Sequence, residues 1–149
     1  MGMLELSTAS EKDMDFLYEL RNEEEVRKNS FQSEIIPYEQ HAMWFKRKLL
    51  DPATKIYILR LDHERIGQVR LDIASGTGEI SYAIAKTARG NGYAKWMLRE
   101  LESITVRDEI CDQFIANVKL DNIVSKKIFS TLGYTENKAG NYYKKIRIS

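Results

Sequence analysis

Arg89-Gly90-Asn91-Gly92-Tyr93-Ala94 runs straight into an apolar-periodic segment from Lys95 to Val106. A glycine-bearing turn that opens a helix is a seat for phosphate. The N–H groups of a first helical turn have no acceptor inside the helix, and the aligned peptide dipoles add partial positive charge there. Gly90 and Gly92 lack the Cβ that would hold a ligand off the backbone. Arg89 brings a charged donor suited to phosphate oxygens. The stretch is not a Walker loop, which requires Gly-Lys-Ser/Thr, and it lacks the third glycine of a dinucleotide fingerprint. A second polar cluster lies just upstream. By strand periodicity Gln68, Arg70 and Asp72 share one face, as do Glu79, Ser81 and Ala83 on the next strand. Any register that keeps their apolar neighbours together sets polar face against polar face. Under a pair of helices such a patch lines a cleft; left uncovered it is a solvated sheet face.

Alternating and helical spacings give the elements that must position these groups. Leu4, Leu6 and Thr8 alternate as a first strand. Ser10 can cap a helix from Glu11 to about Arg21. Asn22 to Ile36 reads as a short helix and a loop, and Pro37 to Leu50 as a second helix. Lys55–Leu61 and Ile66–Ala74 read as strands joined by a turn at 62–65. Ser75-Gly76-Thr77-Gly78 is the next turn, followed by a strand from Glu79 to Ala85. After the phosphate loop and its helix come a strand at Gln113–Val118 and a helix at Asn122–Leu132, closed by Gly133. Tyr134–Lys138 and Tyr142–Ile148 form a last hairpin. The order β-α-α-β-β-β-α-β-α-β-β mixes an antiparallel meander with helical crossovers, which is an α+β or mixed α/β sheet.

The chain has 149 residues, 43% of them hydrophobic and 30% charged, which fits a single domain (1–149) with a sizeable core. Its formal net charge of +1 offers no bulk field for nucleic acid or an anionic membrane. A single cysteine, Cys111, excludes an internal disulfide. No apolar run approaches the ~20 residues of a membrane span. Met1-Gly2-Met3-Leu4 has no signal-peptide pattern, so a cytoplasmic location is expected. No metal site is expected.

Arg89, Gly92 and Ala94 fit the pattern Arg/Gln-x-x-Gly-x-Gly/Ala of the GNAT N-acetyltransferases. A second segment, from Asn122 through Ser125 and Phe129 to Gly133 and Tyr134, is similar to that family's Asn-x-x-Ser/Ala-x-x-x-Tyr-x-x-x-Gly-Phe/Tyr. The resemblance covers essentially the whole chain. It implies a GNAT fold, with a mostly antiparallel, splayed sheet of about seven strands flanked by four helices. It also implies acetyl-CoA as cosubstrate. On it, the 89–94 stretch, with Gly90, Asn91 and Tyr93, takes the pyrophosphate. Ile84 and Ala85 pair with pantetheine, Asn117 faces the thioester, and Asn122 and Ser125 bond the coenzyme arm. The N-terminal half (Leu20-Arg21-Asn22, Val26-Arg27, Ser30, then His41, Trp44 and Phe45) resembles acetyltransferases that modify nucleotide-linked amino sugars in pseudaminic and related nonulosonic acid pathways. Ribosomal-protein N-terminal acetyltransferases share parts of that pattern.

The implied reaction is direct attack by a neutral primary amine on the acetyl thioester in a ternary complex. Glu79 is the candidate base; its other readings are a solvated carboxylate or a partner for Arg70. Phe129 stands where many family members have a tyrosine acid. It packs against the coenzyme or is core; Tyr134 becomes the substitute acid, with Tyr142 and Tyr143 as further choices, and the alternative is a thiolate that leaves unprotonated and is quenched by water. Arg21, Asn22, Arg27, Ser30, Trp44, Arg70 and Ser81 are the candidate acceptor-binding residues. His41 reads as a surface or substrate-contact histidine, and Cys111 as buried packing rather than a ping-pong nucleophile. The expected partner is a small-molecule amine, with no nucleic acid or membrane, and the protein a monomer or homodimer. Two other functions fit: a peptide N-terminal acetyltransferase, and a non-catalytic acyl-CoA-binding module.

Overall fold

The computed structural model describes residues 2–146. Its strands are β1 (Leu4–Thr8), β2 (Thr54–Leu61), β3 (Glu64–Ala74), β4 (Thr77–Ile84), β5 (Gln113–Asn117), β6 (Thr135–Glu136) and β7 (Asn141–Lys145). Its helices are α1 (Met14–Asn22), α2 (Glu24–Lys28), α3 (Tyr38–Leu50), α4 (Tyr93–Arg107) and α5 (Ile123–Thr131). The strands form one seven-stranded sheet in the order β1-β2-β3-β4-β5-β7-β6. Every pairing is antiparallel except β4–β5, which is parallel and joined by the α4 crossover. This is the expected mixed α/β architecture, with α2 as a fifth, short helix.

Several boundaries shift for local reasons. Ser10 Oγ accepts from Lys12 N–H at 3.3 Å and Asp13 accepts from Ser10 N–H at 2.8 Å, so the chain enters α1 through a 3-10 turn at Glu11–Asp13. Asp13 is 1% exposed and also meets Arg60 at 3.1 Å and Arg65 at 2.7 Å. That pairing ties the α1 entrance to β2 and β3. The hairpin turns are shorter than expected. Asp62 and His63 both take positive φ (50° and 73°), so two residues suffice and β3 starts at Glu64. Ser75 and Gly76 do the same, and β4 starts at Thr77. The last hairpin is shorter too, and its expected reach to Ile148 lies outside the described residues.

The main core sits where Val69, Leu71 and Ile80 of the sheet meet Met97, Leu98 and Leu101 of α4 and Phe129 of α5. Each fully buried aliphatic side chain here contributes about 1.5–3 kcal/mol. A smaller cluster joins Leu17 of α1 and Phe45 of α3 to Ile56 and Ile58 of β2. α1 and α3 thereby cover the face that carries the polar patch. Among the described residues, no helix is long and apolar enough to cross a membrane.

Candidate functional site

The β3–β4 register places Asp72 opposite Glu79, Arg70 opposite Ser81 and Gln68 opposite Ala83, so the two polar faces coincide as expected. The parallel β4–β5 ladder runs only from Thr77↔Gln113 to Glu79↔Ile115. Beyond Glu79 the two strands part, while β4 stays paired to β3 as far as Ile84. The edge of β4 facing β5 over Ile80–Ile84 is therefore free to pair with amides of a ligand. A cavity of about 1040 Å³ opens in this gap. It is lined from both faces of the sheet, by Ser81 on one and by Tyr82 and Ile84 on the other.

At one end of the cavity lies the start of α4. Gly90 and Gly92 have φ of +81° and +79°, and a Cβ built on either would meet nothing within 4 Å. Gly92 is the N-cap, no side chain caps the helix, and Tyr93, Ala94 and Lys95 line the cavity from the first turn. Unpaired amides, open space and a lysine make a seat for an anion. Asn91 does not face the cavity. Its Nδ2 donates to Ala88 O at 3.0 Å and to Arg89 O at 3.2 Å, which holds the loop in shape. Arg89 departs from expectation as a phosphate donor. Its Nε donates to Ile84 O at 3.0 Å and its outer nitrogens are bound by Glu23, a short contact on Nη2. That contact holds the Glu23 carboxyl below the usual carboxylate range. Glu23 also caps α2 by accepting from Val26 N–H at 3.3 Å, so it links the loop to the helix across the cavity. Ala85 is spent elsewhere, its N–H donating to Ile66 O at 2.7 Å on the β3 side.

Midway along the cavity, Asn117 Nδ2 donates to Glu79 Oε2 at 3.1 Å and bridges the splayed strands. Asn122 caps α5, its Oδ1 accepting from Ser125 N–H at 3.1 Å. Tyr82 Oη and Ser125 Oγ are 2.6 Å apart, and both residues line the cavity beside Phe129. Tyr134, the expected acid, is absent from the lining. It is buried behind Phe129 with ring centroids 4.9 Å apart, and its hydroxyl has no partner. Burial pushes that hydroxyl far above the ordinary tyrosine range, and its place outside the cavity lining is what removes it as the acid there. Tyr142 has its own partners and Tyr143 points from an exposed position on the same strand. Cys111 is buried against Gly78, away from the cavity lining.

The cavity is also walled by α1, α2 and α3. Arg21 Nη2 donates to Gln32 O at 2.7 Å, while Nη1 is buried with no partner. Burial first, then the neighbouring Arg70 and Arg27, lower the Arg21 pKa. Arg70 lies 5.0 Å over the Trp44 ring and donates to Asp72 at 2.8 Å and toward Ser81 at 3.4 Å. Its charge is thus partly matched by Asp72, which also takes Lys48 at 3.3 Å. His41 is 4% exposed, not at the surface, and its Nε2 is buried without a partner. Burial and Arg21 lower its pKa, which keeps the ring neutral. Asn22 and Arg27 do not line the cavity. Asn22 exchanges two hydrogen bonds with the Ile36 backbone, and Arg27 donates to Asn22 O and Ser33 O, so both shape the 29–36 loop. Ser30 lines the cavity but donates to Val26 O at 2.6 Å.

Glu23, Tyr82, Lys95 and the buried state of His41 were missed in the sequence. Tyr82 carries a polar tip on an otherwise apolar strand face, a signal that was there to read. The Glu23–Arg89 pair spans 66 positions and leaves no local pattern.

The family model described as an acetyltransferase (GNAT) domain matches residues 3–135. An uncharacterized N-acetyltransferase of Methanocaldococcus jannaschii is 25% identical over 83 residues, 55% of this chain. The match spans about half of that relative's length (53%). Among solved structures, a ribosomal alpha-N-protein acetyltransferase in complex with coenzyme A superposes with a TM-score of 0.83 at 16% identity, covering 95% of this chain and 93% of that one. A spermidine N-acetyltransferase variant from Vibrio cholerae superposes at 0.82 and 16% identity, covering 96% and 94%.

Proposed function

Because the chain belongs to the acetyltransferase (GNAT) domain family, we propose that it moves an acetyl group from acetyl-CoA to the primary amine of a nucleotide-linked amino sugar, by direct transfer in a ternary complex. The observation that carries the acceptor class is Arg21 Nη1, a buried guanidinium nitrogen without an acceptor on a residue that lines the cavity. A buried donor without an acceptor is costly, and an anion on the bound acceptor relieves it. Phosphates of a nucleotide meet that need, and a polycation such as spermidine does not. Trp44 lines the same cavity beneath Arg70 and is an aromatic side chain within reach of a base.

In this reading the whole chain acts as one domain. The coenzyme diphosphate rests on the amides of Gly90, Gly92, Tyr93 and Ala94, with Lys95 adding charge. Arg89 braces that loop through Glu23. The pantetheine amides pair with the free β4 edge near Ile84, with Asn122, Ser125 and Phe129 as the far wall. The amine, delivered beside Ser81, attacks the thioester carbonyl. Glu79, oriented by Asn117, takes the proton directly or through water. A backbone N–H on the open β4 edge stabilises the developing oxyanion.

The test is a thiol-release assay with UDP-linked amino sugars, amino-terminal peptides and spermidine as acceptors, alongside calorimetric titration with acetyl-CoA. Turnover confined to the nucleotide sugars is expected. Preference for peptides would move the assignment to an N-terminal acetyltransferase. Binding of acetyl-CoA with no turnover on any amine would make the chain an acyl-CoA-binding module.

A further inference from the structure

Tyr82 is a side chain on the cavity that the motifs leave unexplained. It sits on β4 within the stretch that no longer pairs with β5, two residues from Ile84. Its ring meets Phe129 edge-on with centroids 6.0 Å apart, and its hydroxyl lies 2.6 Å from Ser125 Oγ. Phe129 therefore gives this wall an apolar surface, and the Tyr82–Ser125 pair is the hydroxyl group set into it. We propose that Tyr82 is the proton donor to the sulfur that departs in acetyl transfer, and that Ser125 is a positioning residue that aims it. As the amine nitrogen bonds to the carbonyl carbon, the C–S bond breaks and its electron pair goes to sulfur. The Tyr82 O–H proton passes to that sulfur, giving the free thiol. The proton shed by nitrogen leaves through Glu79 or water, and water returns one to the Tyr82 oxygen, so the sum is amine plus thioester to amide plus thiol.

Three features suit Tyr82 to this task. Burial raises its pKa, partly offset by the bond from Ser125, so the hydroxyl is protonated at neutral pH and ready to donate. The 2.6 Å contact with Ser125 Oγ fixes the Tyr82 oxygen in the cavity wall, and when Ser125 Oγ–H is the donor the tyrosine proton is left free for the sulfur. Ser125 is itself fixed, since its N–H is held by the Asn122 cap at the start of α5. The thiolate is thus met by a neutral donor in a confined space, where such a bond is strongest.

The experiment titrates the thiol of bound coenzyme A by its thiolate ultraviolet absorbance, in wild type, Tyr82→Phe and Ser125→Ala. Loss of a hydrogen bond to an anion predicts that Tyr82→Phe raises the bound thiol pKa by about one unit. Turnover on the wild-type acceptor falls about 10²-fold, with KM for acetyl-CoA within about twofold. Ser125→Ala produces a smaller rise in the thiol pKa, and Ser125→Thr reverses it. An unmoved thiol pKa in a folded Tyr82→Phe protein that binds coenzyme A overturns the proposal. So does a shift in Ser125→Ala larger than in Tyr82→Phe, which would make Ser125 the donor. If Tyr82→Phe does not fold, the Ser125 pair decides: no shift in Ser125→Ala overturns the proposal. The proposal rests on the acetyl-CoA reading, and protein that fails to bind coenzyme A at all refutes that reading instead.

Discussion

Gly92→Ala and Gly140→Ala form a matched pair. Both glycines hold a left-handed backbone, with φ of +79° and +83°, and at both a new Cβ meets nothing within 4 Å. The strain of an L residue there is alike, about 1 kcal/mol. In a chain of this length that lowers Tm by about 2–4 °C in either variant. The two differ in what the empty space is for. Gly140 turns the last hairpin, whereas Gly92 caps α4 at the mouth of the cavity. An added methyl at Gly92 occupies the volume where the diphosphate should sit and separates it from one or two charge-assisted N–H bonds. At about 1.5 kcal/mol or more per bond, affinity for coenzyme A should fall at least tenfold. Gly140→Ala should bind like wild type. Calorimetric titration with coenzyme A and parallel thermal melts give both quantities. Equal affinities in the two variants, with the expected matching loss in Tm, would refute the assignment of this turn as the anion seat.

Arg21→Met should raise KM for a nucleotide-sugar acceptor by about 10- to 100-fold, the worth of one charge-assisted contact, and leave coenzyme A binding unchanged by calorimetry. Glu79→Gln should abolish thiol release at pH 7 while acetyl-CoA still binds; near-normal turnover removes Glu79 from the chemistry. Glu23 has a folded pKa below its ordinary 4.5 because Arg89 binds the carboxylate. Its stabilising contribution is therefore complete above that value and is lost as pH falls through the lower, folded pKa. Melts of Glu23→Gln across the acid range should show a shallower decline than wild type, and identical slopes would count against the Arg89 linkage.

Much of the site was legible because its signals are local. The glycines at 90 and 92 announce positive φ and an exposed helix start within five residues, and period two on β3 and β4 fixes which side chains share a face. The first turn reads too long because Asp62 and His63 accept left-handed conformations that no glycine advertises, and the second because Ser75 does so beside Gly76. What failed was chiefly partner choice. Arg89, Asn22 and Arg27 are basic or amide side chains in ligand-like positions, yet backbone carbonyls and Glu23 reach them first. Tyr134 failed for a different reason: its place one residue after Gly133 turns the ring behind Phe129 rather than past it. The Glu23–Arg89 pair is not encoded in spacing, since it depends on which distant segment packs nearby.

The two halves of the sheet meet through three residue pairs between β4 and β5, and then diverge. Strands β5, β7 and β6 hang together through β7, with this brief seam as their ladder to the rest. A molecule that bonds both lips of the gap is then a missing rung as well as a reactant. Its arrival should slow hydrogen exchange at amides on both sides of the seam and raise the melting temperature with its concentration. The enzyme would be mechanically most complete when it is loaded, and loosest in the interval between releasing spent carrier and accepting the next.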